Sequence, residues 1–432
     1  MGVSQLGLTH YAFPGVKFSR FIHSIGTCHI VGRILERLKK SGEDIDDPTI
    51  QEYRMAALLH DIGHFPFSHT GEHAAESYAM SQEDTPPEHF TFRHEDIGVD
   101  IIRHNPQIQG LLSDENIDVD RIVRLIGGAA VPEAGPEDKY RNIVNSDFDA
   151  DRLDYLLRVA HYSGLPYGVV DLDYLIEQIE IHPKGMVYLR EKALGAADHF
   201  LLSRFFQYRQ IIHNKTSKAF EWLLEDLIIA LVKKGKIDLK KNTIDKMIRC
   251  KGNGNKVFWE GFNDHHVMQL IKQFHAKEKD EDLKFKAEAI INRIEPILIV
   301  RYERIAQHDG EDYSDKARLL RVLCDEIVTK KGIPMERCKI DNISPLKITS
   351  IPRSRPWSHF HPHKDNAEEK ALYIKIDGKE SPTPINLIKQ SLTKQLSDNI
   401  HASLRLYVLL KKEESDLEDE IRKEILEKLP QA

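Results

Sequence analysis

Cysteine is scarce and scattered. Cys28, Cys250, Cys324 and Cys338 are the only four in 432 residues, and no two form a CxxC pair. That set builds neither a zinc ribbon nor a disulfide scaffold, and a reducing compartment is the expectation. No apolar run approaches the ~18 residues that a membrane span needs, so no membrane partner is expected. The N-terminal stretch MGVSQLGLTHYAFPG lacks the basic and apolar regions of a secretory signal, and Leu6 stands where a myristoylation signal carries Ser or Thr. A cytoplasmic location is expected. Excess positive charge is missing as well: 61 Lys and Arg face 68 Asp and Glu, for a net charge of -7. That balance argues against nucleic-acid binding through overall basicity; a local basic patch such as 233–256 could still touch nucleic acid, but its favoured reading is a solvated loop. With 41% hydrophobic and 30% charged residues the chain is that of a globular protein, long enough for two or three domains.

Strand signals are few and no internal repeat is present. Apolar residues recur at spacings of three and four over 21–40, 50–62, 94–104, 118–128, 145–160, 171–180, 193–232, 262–276, 282–308, 313–331 and 385–411, predicting helices. Residues 343–352 and 371–376 alternate as strands do, with an Asp377-Gly378 turn after the second. Loops are expected at 81–92, 127–139 and 354–370, and the charged end, 409–429, as a helix with a solvated face or a partner contact. The expected fold is mainly α: an all-helical core over 1–240, a helical connector over 241–340, and a small mixed α/β lobe over 341–432.

Histidine is what the chain has in surplus. Ten of its 22 histidines lie in the first 104 residues, twice their even share. The densest segment, AALLHDIGHFPFSHTGEH (56–73), holds His60, Asp61, His64, His69 and His73 around a glycine turn. Buried together, such groups would cost several kcal/mol without a cation or hydrogen bonds to compensate them. Imidazole with carboxylate suits Mn, Fe, Zn, Co or Ni, and carboxylate-rich variants suit Mg. One segment cannot complete a coordination sphere. His23, one turn after Arg20, and the acids Asp149, Asp151 and Asp154 of NSDFDADRLDYLLR are the candidates elsewhere. For Asp151 a salt bridge to Arg152 or Arg158 is the structural alternative. The HFHPH run (359–363) reads as an exposed loop, and His213, His265 and His266 as structural or surface residues.

The order His23, His60-Asp61, Asp151 resembles the HD-domain metallophosphohydrolase superfamily. QLGLTHYAFPGVKFSRFIHSIG (5–26), LLHDIGHFPFSH (58–69), RHEDIG (93–98) and DADRLDYLLR (149–158) are similar to the sterile-alpha-motif/HD-domain dNTP triphosphohydrolases and their bacterial homologues, over about residues 5–220. The resemblance implies an all-helical HD core with a smaller α/β part, a dimer or tetramer, and hydrolysis of a deoxynucleoside triphosphate to deoxynucleoside and triphosphate. It implies His23, His60, Asp61 and Asp151 as ligands of a divalent metal such as manganese. His64, His69 and His94 match histidines near the α-phosphate, with His69 or His94 as the proton donor and Glu72 as the acid orienting it. Arg20, Arg152 and Arg204 match contacts to the triphosphate, Gln5 and Tyr155 contacts to the sugar, and Leu6 the apolar contact that disfavours a ribose 2′-hydroxyl. Three departures stand beside these matches. The family's helix ahead of residue 5 has no counterpart in this sequence, so activation by a nucleotide effector is not expected unless the chain is a truncated or alternatively started form. Val159 stands where an Asp bonds the sugar 3′-hydroxyl, and Ile212 where a Tyr meets the nucleoside. These two favour an alternative substrate: a ribonucleotide, a cyclic nucleotide or a nucleic-acid end. A non-catalytic regulatory protein of this fold would show a broken ligand set, and here all four positions are filled.

Overall fold

A computed structural model describes residues 2–82, 89–90, 92–127, 136–183, 185–249, 258–307, 313–349, 371–397 and 399–429. The HFHPH run and its loop 354–370 lie outside these residues. So do most of the loops 81–92 and 127–139 and the 250–256 end of the basic stretch. Among the described residues the protein is mainly helical, with two small sheets. In chain order the first helices are α1 (Arg20–Lys40), α2 (Asp47–Leu59), α3 (His69–Met80), α4 (His94–His104), α5 (Pro106–Asp114), α6 (Val119–Ile126), α7 (Ala150–Ser163) and α8 (Leu172–Glu177). They continue as α9 (Leu194–Gln207), α10 (Lys215–Lys233), α11 (Lys241–Ile248), α12 (Asp264–Lys277), α13 (Glu281–Asn292), α14 (Ser314–Leu323), α15 (Leu392–Leu396) and α16 (Leu417–Lys428). Among the described residues no helix is long and apolar enough to cross a membrane.

Local chemistry sets the helix ends that matter for the site. Asp46 caps α2 by accepting from the Thr49 N–H at 2.9 Å, and Pro48 lies in its first turn. Asp149 caps α7 by accepting from the Arg152 N–H at 2.8 Å, and Gly164 closes that helix at φ 69°. Apolar faces of α1, α2, α6, α7 and α9 share one core, built on Ile34, Leu35, Tyr53, Leu153 and Phe200. A second core joins α3, α4, α10, α12 and α13 through Ala75, Ile97, Leu223, Ile271 and Ile290. The functional residues lie where these two cores meet.

Strands β1 (Ile179–His182), β2 (Met186–Arg190), β5 (Tyr373–Lys375) and β6 (Thr383–Pro384) form one sheet in that order, so segments 179–190 and 373–384 pair. Strands β3 (Ile297–Gln307), β4 (Cys338–Leu346) and β7 (Asn399–Val408) form a second, antiparallel sheet in the order β3-β7-β4. Here the periodicity misleads. The helix expected over 282–308 ends at Asn292 and gives way to β3. The one expected over 385–411 contains only α15 and a 3-10 turn before β7. All eight residues from His401 to Val408 are buried, because β7 is a central strand covered on both faces. Such a strand loses its alternation and mimics a buried helix. The helix over 171–180 likewise stops at Glu177, the run 193–232 is broken by a π-helical turn at Tyr208–Ile212, and 313–331 changes to π and 3-10 turns after Leu323. The charged C-terminal helix α16 is not only a solvated face, since Ile421 and Ile425 are buried in the core of the second sheet.

Asp198 of α9 ties the C-terminal segment to the helical core. Its buried carboxylate accepts from Ser391 Oγ at 2.6 Å, Leu392 N at 2.9 Å and Thr393 N at 3.0 Å. Replacing it with alanine leaves three donors unpaired and is expected to destabilise the fold by about 2–4 kcal/mol in urea denaturation. A loss below about 1 kcal/mol would mean that water replaces the carboxylate.

Candidate metal and phosphate site

The site is assembled from the start of α1, the turn after α2, the starts of α3 and α4, and the first turns of α7. His60 follows directly on α2, and a tight turn carries Asp61 to His64, whose N–H donates back to Asp61 O at 3.3 Å. Two glycines permit the closeness of these elements. A Cβ on Gly26 would lie 1.8 Å from Asp154 Oδ1, and one on Gly63 would lie 2.1 Å from His94 O. The absent side chains let α1 meet α7 and let α4 meet the turn.

His23, His60 and Asp61 converge with donor atoms within 4.8 Å of one another. His23 Nε2 lies 2.8 Å from Asp151 Oδ1 and 3.8 Å from Asp61 Oδ2. His60 Nε2 lies 3.4 Å from Asp61 Oδ1 and 3.9 Å from Asp151 Oδ1. Each imidazole is oriented from behind. His60 Nδ1 donates to Ala57 O at 2.7 Å and His23 Nδ1 to Asp154 Oδ2 at 2.6 Å, which leaves both Nε2 atoms facing inward. Both Nε2 atoms are buried without a hydrogen-bond partner. Burial would lower the pKa of His23, but Asp151 and Asp154 outweigh it and push the ring up to about 10. Two inward-facing nitrogens beside two carboxylates are the environment of a cation, which would displace the proton that Asp151 draws to His23, and the donor set of two nitrogens and two oxygens fits a divalent one.

Asp151 forms neither of the alternative salt bridges. Arg152 pairs with Asp149 at 2.8 Å and approaches Asp147 at 3.5 Å, while Arg158 pairs with Asp154 at 2.7 Å. Asp149 is buried, and its pKa is pushed up to about 6 in spite of Arg152. Burial raises Asp61, but Arg20, with NH1 at 2.6 Å from Oδ2, followed by His60 and His64, holds that carboxyl well below its usual range.

A second group of donors stands beside the first: His64, His69, Glu72 and His94. Glu72 bridges two rings, at 3.0 Å from His69 Nδ1 and 2.9 Å from His94 Nδ1. His64 and His94 stack with ring centroids 3.7 Å apart, and His64 Nε2 lies 3.2 Å from Asp61 Oδ1. Their pKa values are driven apart. Burial and then Arg20 lower His64 well below 6.5, whereas Glu72 overcomes burial and raises His94. The same two rings hold Glu72 far below its usual range against burial.

These groups face a cavity of about 320 Å3 lined by Gln5, Leu6, Arg20, His60, Asp61, His64, His69, His94, Asp151, Arg152, Tyr155, Val159 and Ile212, among others. Of the residues given a role by the family resemblance, three stand back from its wall. His23 is fully buried beneath the donors, Glu72 lies behind its two histidines, and Arg204 sits 3.8 Å from Asp147 with its guanidinium 5.7 Å from the Tyr208 ring centroid. Asp149, a candidate ligand from sequence, also lines the cavity, as do Tyr208 and Asn145, which were given no role from sequence. The orienting role of Asp154 was missed as well. Its position three residues after Asp151 in one helix was the available signal.

Residues 20–158 match the HD domain model. The chain is 30% identical over 321 residues to the uncharacterized protein MG461 homolog of Mycoplasma pneumoniae, covering 71% of this chain and 73% of that one. It is 28% identical over 228 residues to the deoxynucleoside triphosphate triphosphohydrolase SAMHD1 homolog of Dictyostelium discoideum, covering 52% of this chain and 42% of the relative. The chain spans about half the length of several other curated relatives, such as 48% of YwfO from Bacillus subtilis. A hypothetical protein of Aquifex aeolicus shares the fold, with a TM-score of 0.66 at 24% identity over 98% of this chain and 91% of the other. Together with the converging histidines and aspartates, these matches show that the chain belongs to the HD-domain phosphohydrolases, a family of divalent-metal-dependent hydrolases.

Proposed function

We propose that the protein hydrolyses deoxynucleoside triphosphates at the α-phosphorus, releasing deoxynucleoside and triphosphate. The observation that carries this reading is the shared cavity: His60, Asp61 and Asp151 of the donor set, with Arg20 and Arg152, line the wall that also presents Gln5, Leu6 and Tyr155. His23, His60, Asp61 and Asp151 would hold the divalent cation, for which manganese is the first choice to test. When bound, the cation supplies Lewis acidity toward a phosphoryl oxygen and toward water. Arg152, and Arg204 behind it, bring positive charge against a triphosphate carrying about four negative charges. The leaving 5′-oxygen needs a proton. His94 is the ring whose pKa Glu72 raises against burial, and His69 shares the same carboxylate, so either ring is placed to donate from Nε2. His64, its pKa lowered, remains neutral and props His94 against Asp61. A cytoplasmic homo-oligomer, dimer or tetramer, completes the proposal.

A second reading rests on one observation. Val159 and Ile212 line the cavity and offer no acceptor to a sugar hydroxyl. An absent buried acceptor removes discrimination that an apolar contact cannot replace. Another phosphate ester, such as a ribonucleotide, a cyclic nucleotide or a nucleic-acid end, is therefore the alternative substrate. Incubating the protein with Mn2+ and, separately, each dNTP, NTP and cyclic nucleotide, followed by chromatography of the products, separates the two. Triphosphate with deoxynucleoside is the expected pair. Mono- or diphosphate products select the alternative, and no turnover with any divalent metal, together with no metal bound, overturns both.

A further inference from the structure

The turn that follows the His60-Asp61 pair holds an unusual backbone. Phe67 and Ser68 both have positive φ, 59° and 58°, and ψ of Ser68 is -128°. That region of the backbone map belongs to glycine, and a serine stays there only where its surroundings hold it. What the conformation achieves is visible. Ser68 Oγ accepts from Arg20 Nε at 2.6 Å and donates to Ser4 O at 2.5 Å, while Arg20 NH1 reaches Asp61 Oδ2 at 2.6 Å. The strained residue thus fixes the arginine that fixes a proposed metal ligand.

The group that holds the turn comes from nearly 200 residues downstream, at the first position of α12. Asp264 Oδ1 accepts from the Phe67 N–H at 2.6 Å, and its Oδ2 accepts from Ser4 N at 2.9 Å and Ser4 Oγ at 2.6 Å. One carboxylate therefore ties the strained turn to the N-terminal segment that carries Gln5 and Leu6 into the cavity. Just ahead of it, Trp259 Nε1 donates to Ile62 O at 3.1 Å, and Phe65 packs edge-on to both Trp259 and Phe262. The segment Trp259–Asp264 grips the turn at both ends, at Ile62 and at Phe67. A surface helix that merely covered the core would not need a half-buried carboxylate with three bonds to two distant segments.

We propose that Asp264 is a positioning residue for the metal and phosphate site, acting through Phe67, Ser68 and Arg20 on Asp61 and through Ser4 on Gln5 and Leu6. The activity consequence rests on the hydrolase reading above, whereas the cation consequence does not. Asparagine at this position keeps the shape but turns one oxygen into an N–H donor facing donors. In the full chain, D264N is expected to weaken Mn2+ binding, read by isothermal titration calorimetry, by about tenfold, and to lower kcat/KM by a similar factor. The discriminating measurement is made in an S68G background. Glycine adopts the turn unaided and lacks the hydroxyl that passes the constraint to Arg20, so adding D264N there should change Mn2+ affinity by less than about twofold. A purely structural role would carry its full cost in both backgrounds. Should D264N fail to fold, S68A with the parent's circular dichroism replaces it. That variant must weaken Mn2+ binding by the same factor, and Mn2+ affinity equal to the parent's overturns the proposal. Undiminished D264N loss in the S68G background overturns it as well. If the parent hydrolyses none of the nucleotides, the substrate reading fails while the Mn2+ titrations still decide the role of Asp264.

Discussion

Replacing Asp61 with asparagine is expected to remove the bound metal and to lower hydrolysis at least about 10³-fold, the equivalent of about 4 kcal/mol of transition-state stabilisation. The side chain stands at the centre of the site and both of its oxygens are used. Oδ2 meets Arg20 at 2.6 Å, and Oδ1 meets His64 at 3.2 Å and His60 at 3.4 Å. An amide supplies one weak oxygen donor and one N–H group where two anionic oxygens stood. Arg20 and the rings would then face one another without a counter-charge, so some fold stability is lost too, since breaking a buried ion pair costs about 3–5 kcal/mol. The two effects separate experimentally. Metal content by plasma mass spectrometry and turnover at saturating Mn2+ report the site, while urea denaturation reports the fold. A folded D61N protein that keeps a full equivalent of metal and more than about a tenth of the parent's rate would take Asp61 out of the donor set.

How far such a site can be read from sequence depends on which interactions are local. His60, Asp61 and His64 fall within five residues, and their crowding signals a cation by itself. The acids of α7 are less transparent. Asp151 and Arg152 are adjacent in sequence yet about 100° apart around a helix, so they cannot share a face, whereas Asp151 and Asp154 do. Read with that geometry, the segment places both acids on His23, one on each ring nitrogen. Arg204 is a different case. The family resemblance implies that it contacts phosphate, but Asp147 and the Tyr208 ring hold it behind the wall of the cavity, an arrangement fixed by packing between α7 and α9.

Long-range pairing defeats the sequence altogether in two places. Strand β7 lies between β3 and β4, with Arg405 opposite Arg301 on one side and Asp341 on the other, and its continuous burial erases the period of two. Asp264 gives no local sign of its role either. Its partners, Ser4 and Phe67, lie 260 and 197 residues away, and only the fold brings them together. The mixed α/β content of the C-terminal part was legible from 371–376 and 343–352, but the two longest strands of the three-stranded sheet were hidden in helix-like patterns.

Glu72 should control the pH dependence of the reaction, and E72Q is expected to cut the rate by about 10²- to 10³-fold at pH 8 and by much less at pH 6. The carboxylate accepts from His94 Nδ1 at 2.9 Å and from the His94 backbone N–H at 3.2 Å, with His69 Nδ1 on its other oxygen. Burial alone would lower the His94 pKa, and Glu72 reverses that to a net rise above 6.5. A proton donor works in its protonated form, so the rate it supports is present below its pKa and lost as pH rises through it. Glutamine removes the negative charge, the main influence set against burial, and leaves only the smaller pulls of Glu95 and Asp61. The His94 pKa falls, and the alkaline limb of the pH–rate profile moves to lower pH. Stability follows the same sign. The raised His94 pKa contributes stability that is present below 6.5 and is lost as pH rises through the folded value. Glu72, held far below its usual range, contributes stability above about 4.5 that is lost on acidification. A profile of kcat against pH for both proteins checks the assignment. A uniform fall across the whole pH range, with the alkaline limb unmoved, would show that Glu72 orients the histidines without holding the proton.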